Sequence, residues 1–159
     1  LNRILQDALN PRPVELVRGE RRYRPGDKVM QVRNNYEKDV FNGDMGRIIR
    51  IDTEARSAAV RFEDETLVYE FNELDEIVPS YAISVHKSQG AEFPAVVIPV
   101  LTDHYLLLQR NLLYTAVRRG KKLVVLAGTQ KALSIACKNT DSRERCTGLQ
   151  DRLTAAVSM

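Results

Sequence analysis

The chain has no tryptophan, two cysteines and two histidines. Cys137 and Cys146 stand nine positions apart, which suits neither a CxxC redox pair nor half of a zinc site. His86 and His104 have no ligand partner at helical or knuckle spacing, so no structural metal is expected and the cysteines read as free thiols of a reducing compartment. Long apolar runs are also missing: nothing approaches the ~18–20 residues of a membrane span. The opening LNRILQDALNPRP is amphipathic, with no small-residue cleavage site, and is not a signal peptide. These absences give the expectation of a cytoplasmic protein with no membrane partner. There is no repeat and no low-complexity tract. Nor is there a GxxxxGK[ST] phosphate loop, since Gly120-Lys121-Lys122 fails at its last position.

What is present is an ordinary globular composition with segregated charge. A chain of 159 residues, 43% hydrophobic and 28% charged, can bury a core as one domain or two small ones. Residues 1–24 carry six basic and three acidic side chains, net +3. Residues 25–79 carry seven and thirteen, net −6, and residues 80–159 eleven and five, net +6. The middle is a different compositional unit, and its basic flanks suit a polyanion such as nucleic acid or nucleotide phosphate.

The hydrophobic pattern changes at the same places. NRILQDAL puts Ile4, Leu5, Ala8 and Leu9 on one helical face, and NPRP stops the helix. In the acidic middle, KVMQVR, GRIIRID, AAVRF and LVYEF read as short strands separated by FNGD, DTEARS and EDET. LDEIV (residues 74–78) reads as the last turn and strand of that unit. Such close strand spacing predicts a small closed or half-closed barrel, SH3-like in shape. After residue 79, YAISV, AVVIPV and KLVVLAG have the near-continuous apolar character of strands buried on both faces. LLLQRNLLYTAVRR reads as a helix between the last two, GTQKALSIACK as another, and SRERCTGLQDRLTAAV as a third. Strands alternating with helices predict an α/β parallel sheet, here an incomplete one.

Two stretches could carry chemistry. The first is SVHKSQGAEF, at the carboxyl end of YAISV, where ligands of open parallel sheets bind. Ser84, Lys87, Ser88 and Gln89 can donate to phosphate and sugar oxygens, Glu92 can accept, and Gly90 lets main chain approach a ligand. On composition alone the stretch is equally a polar connection with a capping serine. The other is NLLYTAVRRGKKLVVLAG, where Arg118, Arg119 and Gly120 end a helix. Cations and glycine are favoured there by local physics alone.

Read together, YAISVHKSQGAEF and NLLYTAVRRGKK resemble motifs V and VI of superfamily 1 helicases in the RecD-like branch, which includes the alpha subunit of exodeoxyribonuclease V. LNRILQDALNP and RPGDKVMQVRNNYEKDVFNGDMG extend the resemblance, and the latter is similar to the start of the family's inserted SH3-like domain. The core HKSQG is shared with Dda-like phage helicases and conjugative relaxase-helicases. Glu92-Phe93 and NNY…VFNGD favour the RecD-like branch.

The resemblance implies a C-terminal portion of an ATP-dependent DNA helicase. Its expected fold is α/β, a partial RecA-like parallel sheet (the second motor domain) with an inserted small SH3-like β-barrel. Residues 1–24 would open the motor domain, 25–79 form the barrel, 80–130 resume the motor and 131–159 make a helical tail. Arg119 would be the arginine finger toward the γ-phosphate of ATP, a task for a planar guanidinium. Glu92 would meet the ribose, with Gly90 beside it and Gln89 coupling nucleotide to DNA. Ser84, where the family has threonine, would touch a DNA phosphate, with His86 and Lys87 along the track. Asn35 and Tyr36 would add a stacking contact from the barrel. Tyr114 and Thr115 would orient the motif VI helix.

At Arg118 the family has threonine and at Gly120 alanine, which places another guanidinium beside the finger. The implied cofactor is ATP with Mg2+, bound mainly by a first RecA-like domain of the same polypeptide. The other implied partners are single-stranded DNA and the remaining exodeoxyribonuclease V subunits. Without a phosphate loop or a magnesium carboxylate, this chain by itself is not expected to hydrolyse ATP. The alternative is a motorless nucleic-acid-binding or protein-interaction module of helicase descent.

Overall fold

The computed structural model describes residues 1–13, 16–63 and 65–140. Two compact units divide the chain, Leu1–Ala91 and Glu92–Met159. The helix expected over residues 142–157 lies outside the described residues.

The first unit opens with α1, Asn2–Leu9, followed by a hairpin of β1 (Leu16–Arg18) and β2 (Arg21–Tyr23). Then come β3 (Lys28–Gln31), β4 (Met45–Asp52), β5 (Ser57–Arg61), β6 (Thr66–Glu70), a 3-10 turn over Glu73–Glu76, and β7 (Ile77–Pro79). These five strands form one antiparallel sheet in the order β6-β5-β4-β3-β7. The unit is SH3-like, and no ladder joins its edge strands β6 and β7 among the described residues.

Alternation explains most of its core. Val29, Ile48, Ile51, Ala58, Val60, Tyr69, Leu74 and Ile77 turn inward and pack together. Fully burying a Val, Ile or Leu side chain stabilises by roughly 1.5–3 kcal/mol. Ile48 and Ile51 share the inner face although three positions apart, because a bulge between Ile48 and Arg50 throws Ile49 outward. The hairpin is anchored by Tyr23, 1% exposed, whose hydroxyl reaches the carbonyl oxygens of Leu74 and Ile77 at 3.2 and 3.0 Å.

α1 is held by polar groups rather than by its apolar stripe. Ile4 and Leu9 are 69% and 67% exposed, whereas Gln6 and the capping Asn10 are buried. Both reach Asp27, which is wholly buried. Gln6 Nε2 donates to Asp27 Oδ2 at 2.6 Å, and Asn10 Nδ2 to Oδ1 at 2.7 Å. The Arg24 amide also donates to Oδ2, at 2.7 Å. The Arg24 guanidinium turns back on α1, donating to the Asn10 carbonyl at 2.7 Å and pairing with Asp7.

The YAISV segment is not a strand. Tyr81 to Gly90 run as bends and turns, because other groups take up the local polar atoms. Asn2 exchanges two hydrogen bonds with the Ala82 backbone, Nδ2 to O at 2.8 Å and N to Oδ1 at 2.7 Å. Tyr81 donates its hydroxyl to Asp27.

The other unit is a β-α-β arrangement. β8 (Phe93–Val100) pairs in parallel with β9 (Gly120–Gly128). Between them lie a 3-10 segment, Thr102–Leu107, and α2, Arg110–Val117. The expected helix therefore begins four residues late, and Leu106 is 84% exposed in the 3-10 segment. α3, Gln130–Lys138, follows, capped by Thr129 Oγ1 accepting from the Ala132 amide at 3.1 Å. Val100, Leu108, Ala132 and Ala136 form the core. The strands are not buried on both faces as their composition predicts. Val97, Leu123, Val125 and Leu126 are 69%, 55%, 40% and 40% exposed, because the sheet has two strands and the packed cluster lies at its Val100 end.

Candidate functional site

Residues 84–90 form a turn built by serines. Ser84 Oγ accepts from the Lys87 amide at 3.3 Å, and buried Ser88 donates its hydroxyl to the Val85 carbonyl at 2.7 Å. Ser84 thus caps the turn while its side chain stays exposed. His86, Lys87 and Gln89 are also exposed. Gly90 has φ +87°, and a Cβ there would meet nothing within 4 Å. The glycine is needed for a backbone conformation that L side chains rarely adopt, with open space around it.

In the Glu92–Met159 unit the backbone sets the residue following Glu92 against Arg119. The Phe93 amide donates to the Arg119 carbonyl at 2.7 Å, where the β8–β9 ladder begins. Lys121 Nζ lies 3.2 Å from Glu92 Oε2, both side chains being about half exposed. The register shifts between the Phe93 and Ala95 pairings, with β9 supplying one extra residue next to Lys121. Gly120 permits this local fold: a Cβ would fall 2.6 Å from Val124 Cγ2 and 3.0 Å from the Leu123 carbonyl.

The two arginines differ in surroundings. The Arg118 guanidinium lies over the Tyr114 ring at 5.5 Å. Arg119 is half-buried and donates through Nε to the Thr115 carbonyl at 3.3 Å. Thr115 in turn donates its hydroxyl to the Asn111 carbonyl at 2.8 Å.

On the SH3-like sheet, Asn35 is engaged in structure. Its Nδ2 donates to Glu76 Oε2 at 3.1 Å, and its Oδ1 accepts from the Lys38 amide at 3.1 Å. Tyr36 is 77% exposed and meets Phe41 edge-on, with centroids 5.9 Å apart. Lys38 holds Glu73 at 2.6 Å and lies over the Tyr69 ring at 4.4 Å. Burial pushes the Glu73 carboxyl up, but the Lys38 ammonium and the Glu70 amide outweigh it and hold the carboxyl below its ordinary range.

Two participants lie beyond what the sequence motifs single out. Lys121 sits in a helix-ending Gly-Lys-Lys, and a cation two positions beyond Arg119 is the signal that could have marked it. Asp27, in RPGD ahead of a strand, gives no sign in the sequence that it collects donors from α1 and from Tyr81.

Known proteins share both halves of the chain. Residues 1–62 match the family model described as the ATP-dependent RecD-like DNA helicase SH3 domain, and residues 79–127 match the UvrD-like helicase C-terminal domain. A Pif1 helicase from Bacteroides, solved in complex with ADP-AlF3 and ssDNA, superposes with a TM-score of 0.63 at 19% identity, over 98% of this chain and 42% of that one. Two Pif1 helicases at forked duplex DNA give 0.58 at 21% identity, over 86% and 33%. The two domain matches assign the two halves of the chain to domains of superfamily 1 helicases.

Within that class the chain belongs to the RecD-like branch and corresponds to a C-terminal portion of its members. It is 34% identical over 157 residues to the ATP-dependent RecD2 DNA helicase of Deinococcus radiodurans, covering 98% of this chain and 21% of that protein. It is 30% identical over 128 residues to the RecBCD enzyme subunit RecD of Mycobacterium tuberculosis, covering 80% and 22%. The chain spans about a fifth of the length of these curated relatives. Among the described residues no helix is long and apolar enough to cross a membrane.

Proposed function

We propose that this chain is the arginine-finger and strand-contacting part of an ATP-dependent helicase motor. The observation that supports this reading is the hydrogen bond from the Phe93 amide to the Arg119 carbonyl, which sets the residue following Glu92 against Arg119 at the start of the β8–β9 ladder. The residues suit a nucleotide: Arg119 and Lys121 offer cations to phosphate oxygens, and Glu92 offers an acceptor to ribose hydroxyls. Bound ATP with Mg2+ supplies the phosphoryl group whose transfer drives the cycle. Arg119 opposes the charge spread over that group, and Glu92 fixes the sugar.

On the turn of residues 84–90, Ser84 donates its hydroxyl to a phosphate of single-stranded DNA. His86 and Lys87 extend that contact, and Gln89 and Gly90 complete the turn. The partners are single-stranded DNA and a first motor domain carrying the phosphate loop. The relatives named as RecBCD enzyme subunits suggest assembly with other exodeoxyribonuclease V subunits.

The test is DNA-stimulated ATP turnover by the natural polypeptide that carries this chain. Arg119→Ala is expected to lower it by about 10³-fold or more while sparing DNA affinity, in the range of arginine fingers. Arg118→Ala is expected to change it only a few-fold. Normal turnover by Arg119→Ala overturns the assignment, and a collapse confined to Arg118→Ala transfers the role to that residue.

A further inference from the structure

The SH3-like sheet ends in two edge strands, β7 and β6. β7 is short and finishes in Pro79, and its Ile77 carbonyl accepts from the Tyr23 hydroxyl at 3.0 Å and from Arg21 at 3.3 Å. β6 is longer, and among the described residues no strand pairs with its other side.

The β5–β6 ladder fixes which groups face that open side. The Phe62 amide donates to the Glu65 carbonyl at 2.8 Å, and the Phe71 amide to the Arg56 carbonyl at 2.9 Å. Bonded positions alternate along an antiparallel pair, so Leu67 and Tyr69 bond to β5. The amides and carbonyls of Thr66, Val68 and Glu70 therefore point away from it. Such a row is a template for another strand.

Two charged side chains occupy the row. Lys38 Nζ donates to the Val68 carbonyl at 2.9 Å, and the Glu70 amide donates to Glu73 Oε2 at 2.8 Å. Lys38 also donates to that same carboxylate oxygen, at 2.6 Å. The loop bearing Lys38 is shaped for this placement. Asn35 and Val40 exchange backbone hydrogen bonds at 2.8 and 3.1 Å, and the Asn35 side chain accepts from the Lys38 amide. Asp39 takes φ +49°, a left-handed conformation that aspartate tolerates.

The strand that fits the open row is β6 of a second copy. Paired antiparallel about a twofold axis at Val68, the two strands set Val68 opposite Val68 and Thr66 opposite Glu70, with no like charges face to face. The Val68 side chain is 58% exposed and available to that contact. The pairing needs the Val68 carbonyl and the Glu70 amide, the two groups that Lys38 and Glu73 hold.

We infer that the Lys38–Glu73 pair guards a latent strand-addition site along β6 and keeps two copies of the polypeptide from joining edge to edge.

The experiment is sedimentation velocity of the natural polypeptide that carries this chain, over a range of concentrations. Lys38→Ala/Glu73→Ala is expected to strengthen self-association by about ten-fold or more, since several backbone hydrogen bonds become available and each is worth a few-fold. Lys38→Arg is expected to leave association unchanged, because a guanidinium still donates and still pairs. Adding Val68→Pro to the double variant is expected to abolish the gain, since proline removes an outward N–H and no bond of the β5 ladder. Association that survives Val68→Pro places the contact elsewhere and overturns the inference. A folded double variant that associates no more than the unmodified polypeptide overturns it too. Thermal melts report folding. Should the double variant unfold, Lys38→Met frees the Val68 carbonyl alone while keeping an apolar stem, and its failure to associate overturns the guard.

Discussion

The Tyr81 hydroxyl donates to Asp27 Oδ1 at 2.9 Å, joining the start of the turn-forming segment to the carboxylate that also holds α1. Four donors meet this one buried group: Gln6, Asn10, the Arg24 amide and Tyr81. Helix, strand and turn are thereby fixed to a common point.

Asp27→Asn replaces one acceptor oxygen by an amide that confronts donors. The cost is expected to be ~2–4 kcal/mol, from unsatisfied buried groups. Tyr81→Phe removes one donor and should cost ~1 kcal/mol. Urea unfolding midpoints measure both, and equal losses in the two variants would contradict Asp27 as the hub.

Tyr81 also sets an alkaline limit. Burial, and then the hydrogen bond and charge of Asp27, raise its hydroxyl above the ordinary 10.0. A raised folded-state value gives stability that is intact below pH 10 and is lost as pH rises through the folded value. In Tyr81→Phe the decline above pH 10 should be shallower, as read from Tm against pH.

Glu73 works in the opposite direction. Its carboxyl is held below the ordinary 4.5 despite burial, by the Lys38 ammonium and the Glu70 amide. A depressed folded-state value gives stability present above the unfolded value and lost as pH falls through the folded one. Glu73→Gln should be less stable at pH 7 and should lose less on acidification below about pH 4.5, so the two Tm curves converge in acid. Parallel curves would remove Glu73 from the acid limb.

Asn35 and Tyr36 are neighbours with opposite expectations. Asn35→Ala loses contacts to Glu76 and to the Lys38 amide and should cost ~1–2 kcal/mol of stability. Tyr36→Ala removes an exposed ring and should leave stability within ~0.5 kcal/mol. If that ring stacks on a base, oligo-dT affinity falls by ~1–3 kcal/mol, or roughly five- to over a hundred-fold. Unchanged affinity in Tyr36→Ala would confine single-strand contacts to other parts of the chain.

The strands of the SH3-like sheet are legible because alternation marks a half-buried strand, as in Ser57–Arg61 and Thr66–Glu70. The hairpin before them is hidden among charged residues, although Gly19 at φ +58° opens a two-residue turn between Arg18 and Arg21. Residues 81–85 mislead because an apolar run shows what can be buried, not which partner takes its hydrogen bonds. Those partners, Asn2 and Asp27, lie 80 and 54 positions away. The α1 interface is hidden for the same reason: its contacts are amides converging on a distant acid, and periodicity sees only the apolar stripe. The motifs single out Glu92 and Arg119 as candidates, whereas the Phe93–Arg119 backbone contact and the Lys121 pairing depend on strand register.

The Glu92–Lys121 pair is one that a ligand bound as proposed would open at little cost. Both side chains are about half exposed, and such surface pairs are worth ~0–1 kcal/mol. If Glu92 holds a sugar hydroxyl as proposed, opening this weak pair would leave Lys121 available to an anion on the same ligand. A molecule carrying only one of the two groups leaves half of the exchange unfinished. On the role proposed for Glu92, the resting pair would have to open before acid and base could each meet a ligand group, which would favour a ligand able to satisfy both.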